Sequence, residues 1–128
     1  MAVRRLSATE RVEKPWGYEL RWAVTDRYVG KILHVNAGQA LSLQYHELKD
    51  ECILVTRGVV QMELDDSQGR LQTHRLEPGD NVRIKPGTRH RMTALEEAEL
   101  FEVSTPEIED VVRLDDRYGR LPTGAEKH

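Results

Sequence analysis

The feature that most restricts the fold of this chain is how often it is made to turn. Pro15-Trp16-Gly17, Thr25-Asp26-Arg27, Asn36-Ala37-Gly38, Arg57-Gly58, Asp65-Asp66-Ser67-Gln68-Gly69, Glu77-Pro78-Gly79-Asp80 and Lys85-Pro86-Gly87 punctuate it at short intervals. Gly and Pro in such clusters set turn geometry and break helices. No convincing amphipathic helix precedes residue 106. The segments between turns, 18–24, 28–35, 41–46, 51–56, 59–64, 70–76, 81–85, 90–95 and 99–104, read as short strands. The pair 59–64 and 70–76 closes as a hairpin with Gly69 at the end of its loop. Many short strands at turn-marked intervals predict an all-β antiparallel sandwich or jelly-roll barrel.

Two strands carry a conflict of pattern. In 41–46 the apolar residues Leu41, Leu43 and Tyr45 alternate with Ser42, Gln44 and His46, so one face is covered and the other looks into a polar cavity. In 31–35, Lys31 shares a face with Leu33 and Val35, which places it at the rim if that face is interior. Gln44 and His46 are two apart on one strand, Glu51 begins the next, and His90 opens another directly after the Pro86-Gly87 turn. Imidazole nitrogen with carboxylate or amide oxygen is the donor set taken by zinc, iron or manganese, and these four residues are read as a metal pocket.

The spacing Gly38, Gln44-x-His46, Glu51, Gly58 resembles the first motif of the cupin family, with Gln44 where the first His usually stands. Gly79 to His90 resembles the second. The resemblance implies a cupin fold, the double-stranded β-helix or jelly-roll barrel, over 12–106. An N-terminal arm or edge strand then occupies 1–11, and a short helical or irregular tail 107–128. Thr105-Pro106-Glu107 can begin a helical turn, and 121–128 reads as disordered. Pro15-Trp16-Gly17, 41–46, His90-Arg91, Phe101-Glu102-Val103 and Asp116-Arg117-Tyr118-Gly119-Arg120 further resemble the isomerase domain of type II phosphomannose isomerases.

That second resemblance implies mannose-6-phosphate isomerase chemistry, an aldose–ketose interconversion through an enediolate, with one divalent metal as Lewis acid. Zinc is expected, with manganese, iron, cobalt or nickel as alternatives. Glu102, Lys49 and Arg91 are the candidate catalytic residues. Glu102 is the candidate base, against a rim carboxylate in a salt bridge. Lys31, Arg91 and Arg120 are the candidate substrate-binding residues, chosen from basic groups that also include Arg83 and Arg89. The chain departs from the isomerase pattern at Lys49-Asp50-Glu51-Cys52-Ile53, where Arg-Ala-Glu-His-Trp is usual, and at Lys85 and Ala94. Two other function classes stay open: another metal-dependent cupin enzyme of dioxygenase type, and a non-catalytic sugar-binding cupin.

Length and charge bound the remaining choices. With 128 residues and 38% hydrophobic content the chain has room for one domain. Charged residues make up 32% but alternate in sign, with no basic run of the kind that neutralises a phosphate backbone, so nucleic acid is not expected as a partner. No apolar run reaches membrane-spanning length, and the expected location is cytoplasmic. Cys52 is the only cysteine and reads as a small buried side chain. The expected partners are a small sugar-phosphate substrate and, from the cupin resemblance, a second copy of the chain in a homodimer.

Overall fold

Strict alternation along each strand sorts the side chains to two faces, and two antiparallel sheets form by burying one face of each against the other. The computed structural model describes residues 8–120. Its eleven strands are β1 (Glu10–Lys14), β2 (Gly17–Val24), β3 (Val29–Val35), β4 (Leu43–Tyr45), β5 (Glu51–Arg57), β6 (Val60–Asp65), β7 (Leu71–Leu76), β8 (Asn81–Ile84), β9 (His90–Ala94), β10 (Ala98–Ser104) and β11 (Val112–Asp115). One sheet runs β1-β2-β3-β10-β5-β8 and the other β11-β4-β9-β6-β7, all pairings antiparallel. This is the expected all-β jelly roll. Among the described residues no helix is long and apolar enough to cross a membrane.

The core lies between the sheets, built from Leu33, Val35, Ile53, Val55, Val60, Met62, Ile84, Met92 and Leu100 with Trp16 against them. The inner face of the larger sheet changes character along the strands. Leu33, Leu100 and Val55 lie side by side in one row, and the next row reads Arg21, Lys31, Glu102 and Ile53. One end of the barrel is therefore oily and the other charged. The outer face of the same sheet leaves Trp22, Leu54, Phe101 and Val103 exposed.

Several sequence expectations change. The strand expected over 41–46 is only Leu43–Tyr45, preceded by an isolated bridge from Ala40 to Thr93 and a single hydrogen bond from the backbone N–H of Leu41 to the carbonyl of Met92. Lys31 is buried, and does not sit at a rim, because Glu19 provides a carboxylate 3.1 Å from its Nζ. Cys52 is exposed, since it alternates with the inward-facing Glu51 and Ile53. The segment after Pro106 forms no helix; it makes a turn at 107–110 and then adds β11 beside β4, where sheet pairing satisfies its backbone. β1 begins at Glu10 as an edge strand on β2. The remainder of the arm before residue 8, and the tail at 121–128, lie outside the described residues.

Gly38 and Gly58, the glycines that bound the first motif, share a φ of 81°, a left-handed conformation that a Cβ disfavours. At Gly58 an added Cβ would also collide with the carbonyl of Glu97, whereas nothing lies within 4 Å of one at Gly38. Gly38→Ala should therefore cost about 1 kcal/mol of stability and Gly58→Ala about 3 kcal/mol. Urea denaturation of the two variants checks this; equal midpoints would contradict the close approach at Gly58.

Candidate metal centre

Four donors from three sequence segments meet because β4 and β9 are neighbours and β5 faces them across the barrel. Gln44 pairs in register with His90, the first residue of β9. His46 follows β4 and Glu51 is the first residue of β5. One ligand atom from each of His46, Glu51 and His90 falls within 4.8 Å of the others, and the three residues are 2%, 3% and 5% exposed. Gln44 lines the same cavity; its Oε1 accepts a hydrogen bond from Ser42 Oγ at 2.6 Å and keeps a second lone pair.

The orientation of both imidazoles is fixed from behind. His46 Nδ1 lies 2.6 Å from the carbonyl oxygen of Asp110, and His90 Nδ1 lies 2.9 Å from that of Thr88. A carbonyl oxygen only accepts, so each Nδ1 carries a proton and each Nε2 is turned inward, where without a proton of its own it offers a lone pair. Those lone pairs face one carboxylate oxygen, Glu51 Oε2, at 2.8 Å from His46 and 3.5 Å from His90. Acceptors that converge in this way need a cation or a proton among them. The set can hold a metal ion, with backbone carbonyls as the outer partners that orient such ligands.

Asp110, which the sequence reading passed over, locks this corner twice. Besides its carbonyl on His46, its carboxylate accepts the backbone N–H groups of Glu47, Leu48 and Lys49 at 3.0, 2.7 and 2.9 Å. Burial works against its charge, but those three donors outweigh it and hold the carboxyl below its usual range. Nothing in the local pattern around Pro106 signalled this role, since the partners are more than sixty residues away.

Behind the donor set lies a chain of buried charges. Lys49 Nζ stands 3.5 Å from Glu51 Oε1 and 3.1 Å from Glu102 Oε2. The contact with Glu102 is close enough for Coulombic pairing but is not aligned as a hydrogen bond, so Oε2 keeps its lone pairs. Burial raises the Glu51 carboxyl, yet the hydrogen bond from His46 and the charge of Lys49 win and hold it at about 2. At Glu102 burial dominates, reinforced by the charge of Glu51, and the carboxyl is pushed above its usual range. Burial also depresses Lys49, but Glu102 and Glu51 more than compensate and keep it protonated. Further along the wall, Glu19 is gripped by Arg21 at 2.7 Å and Lys31 at 3.1 Å.

Lys31, Lys49, Glu102 and Arg120 thus line one cavity with Gln44, His46, Glu51 and His90. Arg91 does not join them. It alternates with the inward-facing His90 and Met92, and on the outer side it pairs with Glu63 and Asp115, each at 3.1 Å. Arg83 and Arg89 are likewise tied to Asp50 and Asp65 away from the cavity. Lys14, Arg21 and Arg113, none of them singled out from sequence, line it instead. Alternation in β2 hints at Arg21, but only the placement of β1 and β11 brings in the other two.

Comparison with known proteins agrees with this architecture. The family profile described as the cupin domain matches residues 31–104. The structure of KdgF from Halomonas sp. superposes with a TM-score of 0.68 at 22% identity, covering 80% of this chain and 90% of that one. Oxalate decarboxylase from Bacillus subtilis gives a TM-score of 0.72 at 18% identity over 87% of this chain, which spans only 31% of that enzyme. An RmlC-like cupin from Shewanella frigidimarina gives 0.66 at 16% identity, covering 79% and 86%. At such identities the likeness establishes the fold and nothing about the reaction. No curated protein sequence matches.

Two predictions follow from the geometry. His46→Ala should abolish retention of a divalent metal, and Asp110→Ala should weaken it by about 10- to 100-fold, both read by competition with a chromophoric chelator; stoichiometric metal in purified His46→Ala would overturn the assignment. The second concerns acid stability. At Glu19 burial opposes the charge, but Lys31 and Arg21 lower its pKa below the ordinary value of 4.5. Its charge therefore adds stability above pH 4.5 that disappears as pH falls through the lowered folded value. Thermal melts should show Glu19→Gln less stable at pH 7 and with a flatter decline between about pH 5 and 3; parallel curves would refute the linkage.

Proposed function

This chain belongs to the cupin family, and we propose that it acts as a metal-dependent sugar-phosphate isomerase of the mannose-6-phosphate type. The observation that carries the reading is Glu102, a buried carboxyl with a raised pKa, standing on the cavity wall beside the His46–Glu51–His90 set and tethered to it by Lys49. An aldose–ketose isomerase needs a group that removes a proton from one carbon and returns it to the next, and a base works best when its pKa is drawn toward neutrality. The resemblance of Phe101-Glu102-Val103 and Asp116-Arg117-Tyr118-Gly119-Arg120 to the type II isomerases points to the same chemistry.

His46, Glu51 and His90, with Gln44 beside them, would hold the metal, zinc by preference with iron or manganese also suited to the donors. The bound ion would supply Lewis-acid polarisation of the substrate's carbonyl and adjacent hydroxyl oxygens. Glu102, as the carboxylate, takes the proton from C2 of the aldose and returns it to C1, while the proton of the C2 hydroxyl passes to the oxygen on C1. No atom is gained or lost. Lys49, protonated between Glu51 and Glu102, screens the repulsion of the two carboxylates and steadies the charge that moves during the transfer. Lys31 and Arg120 offer positive charge to the anionic end of the substrate.

A second reading has its own support. Two histidines and one carboxylate are also the donors of non-haem iron oxygenases. The two separate cleanly in one assay series. Proton NMR of mannose 6-phosphate with metal-free protein should show no change, and addition of zinc, manganese, cobalt or nickel should produce fructose 6-phosphate. Glu102→Gln should keep the metal and lose about 10²- to 10⁴-fold in turnover. Undiminished turnover would remove Glu102 as the base. Failure to isomerise with any metal, together with dioxygen uptake by the iron form, would replace the isomerase reading with the oxygenase.

A further inference from the structure

Among the described residues, Arg113 is the one cavity cation with no ion pair. Its Nε is buried and has no hydrogen-bond partner among the described residues. Its Cα pairs with that of Gln44 across β11 and β4, so both side chains leave the sheet on the cavity side, and both line the cavity. Burial opposes its charge and so does the neighbouring cation Arg120, while Asp116 and Glu109 favour it; Arg120 is itself engaged by Asp116 through Nε at 2.8 Å and a terminal nitrogen at 2.9 Å. Lys14 is lowered chiefly by burial, which outweighs the charge of Glu19, with Lys31, Arg21 and Arg113 adding to the effect.

The other cavity cations are matched. Lys31, Arg21 and, at 4.0 Å, Lys14 share Glu19, Lys49 joins Glu51 to Glu102, and Arg120 has Asp116. In a chain of net charge −3, this cavity gathers six basic side chains against five acidic ones. A half-buried guanidinium with a buried, unpartnered Nε and a second guanidinium beside it gains from an anion that takes up that donor. A planar fork of N–H donors with a lysine nearby suits a tetrahedral oxyanion.

We propose that Arg113, supported by Lys14 and Arg120, is the subsite that receives the phosphate monoester of the substrate, beside the strand that carries Gln44. The proposal deepens the isomerase reading and rests on it for the nature of the rest of the substrate. It makes Arg113 a binding residue: phosphate is held and oriented there, and the guanidinium takes no part in proton transfer.

The test uses the full chain, freed of metal, titrated with inorganic phosphate at low ionic strength while the arginine Nε–H signals are followed by NMR. One buried Nε–H resonance, absent in Arg113→Lys, should shift saturably with phosphate. Arg113→Gln and Arg113→Lys should weaken phosphate binding by at least about tenfold, whereas Arg75→Gln, an exposed change far from the cavity, should not alter it. With metal restored, the same variants should raise KM for mannose 6-phosphate by a similar factor and change kcat much less. Should Arg113→Gln fail to fold, Arg113→Lys carries the test, because it keeps the charge and removes the fork. Unaltered phosphate affinity and KM in a folded Arg113 variant would overturn the subsite while leaving the isomerase reading untouched. Phosphate binding that depends on Arg113 in a protein that never isomerises would uphold the subsite and remove the isomerase reading.

Discussion

Three carboxylates, Glu19, Glu51 and Glu102, stand inside a barrel of this size, and the burial of their charge is the constraint to which the rest of the cavity answers. An unpaired buried carboxylate costs several kcal/mol and would otherwise be forced to take up a proton. Each has a cation within reach: Lys31 and Arg21 for Glu19, and Lys49 for the other two. The pairing is uneven, however, and the unevenness is chemically useful. Glu51 is held ionised by His46 and Lys49, while Glu102, more desolvated and repelled by Glu51, is pushed toward protonation. Two carboxylates on adjoining strands thus acquire different properties from their surroundings, one suited to ligation and one to moving a proton.

The sheet makes this arrangement rigid. Arg21, Lys31 and Glu102 sit in one row across three hydrogen-bonded strands, and the neighbouring row is Leu33, Leu100 and Val55. A one-residue register slip on any of these strands would turn its charged and its apolar inner residues to the outer face together, so the hydrophobic core and the polar cavity share one register. On the opposite wall, Asp110 fastens the 47–49 turn and the ring of His46 from a segment remote in sequence. The geometry of the site depends on long-range closure as much as on the strands that carry His46, Glu51 and His90.

The strands between residues 17 and 104 were legible from alternation and turn residues, as were His46, Glu51 and His90, the set that could hold a metal ion, because those signals are local. The C-terminal segment was not. Pro106 and the acidic residues after it resemble a helix start, but the unpaired edge of β4 offers β11 a ladder of hydrogen bonds that an isolated helical turn cannot match. Arg91 looked like a cavity residue through its place beside His90; in a strand that adjacency guarantees opposite faces. Lys31 looked marginal because a lysine on an apolar face is costly, and Glu19, supplied by the neighbouring strand, removes that cost.

What the sequence determined by itself is the class of fold and the polar residues, His46, Glu51 and His90, that the fold brings together. Turn placement, alternation and the chemistry of His, Glu and Gln are properties of short segments and survive without tertiary context. What only the tertiary structure decided is which charges share the cavity. Lys14, Arg21, Arg113, Arg120, Glu19 and Asp110 come from opposite ends of the chain, and their protonation and pairing depend on distances of a few ångströms and on exclusion of water. Electrostatic environment is a product of assembly, so the set of residues that can act on a substrate emerges only when both sheets are in place.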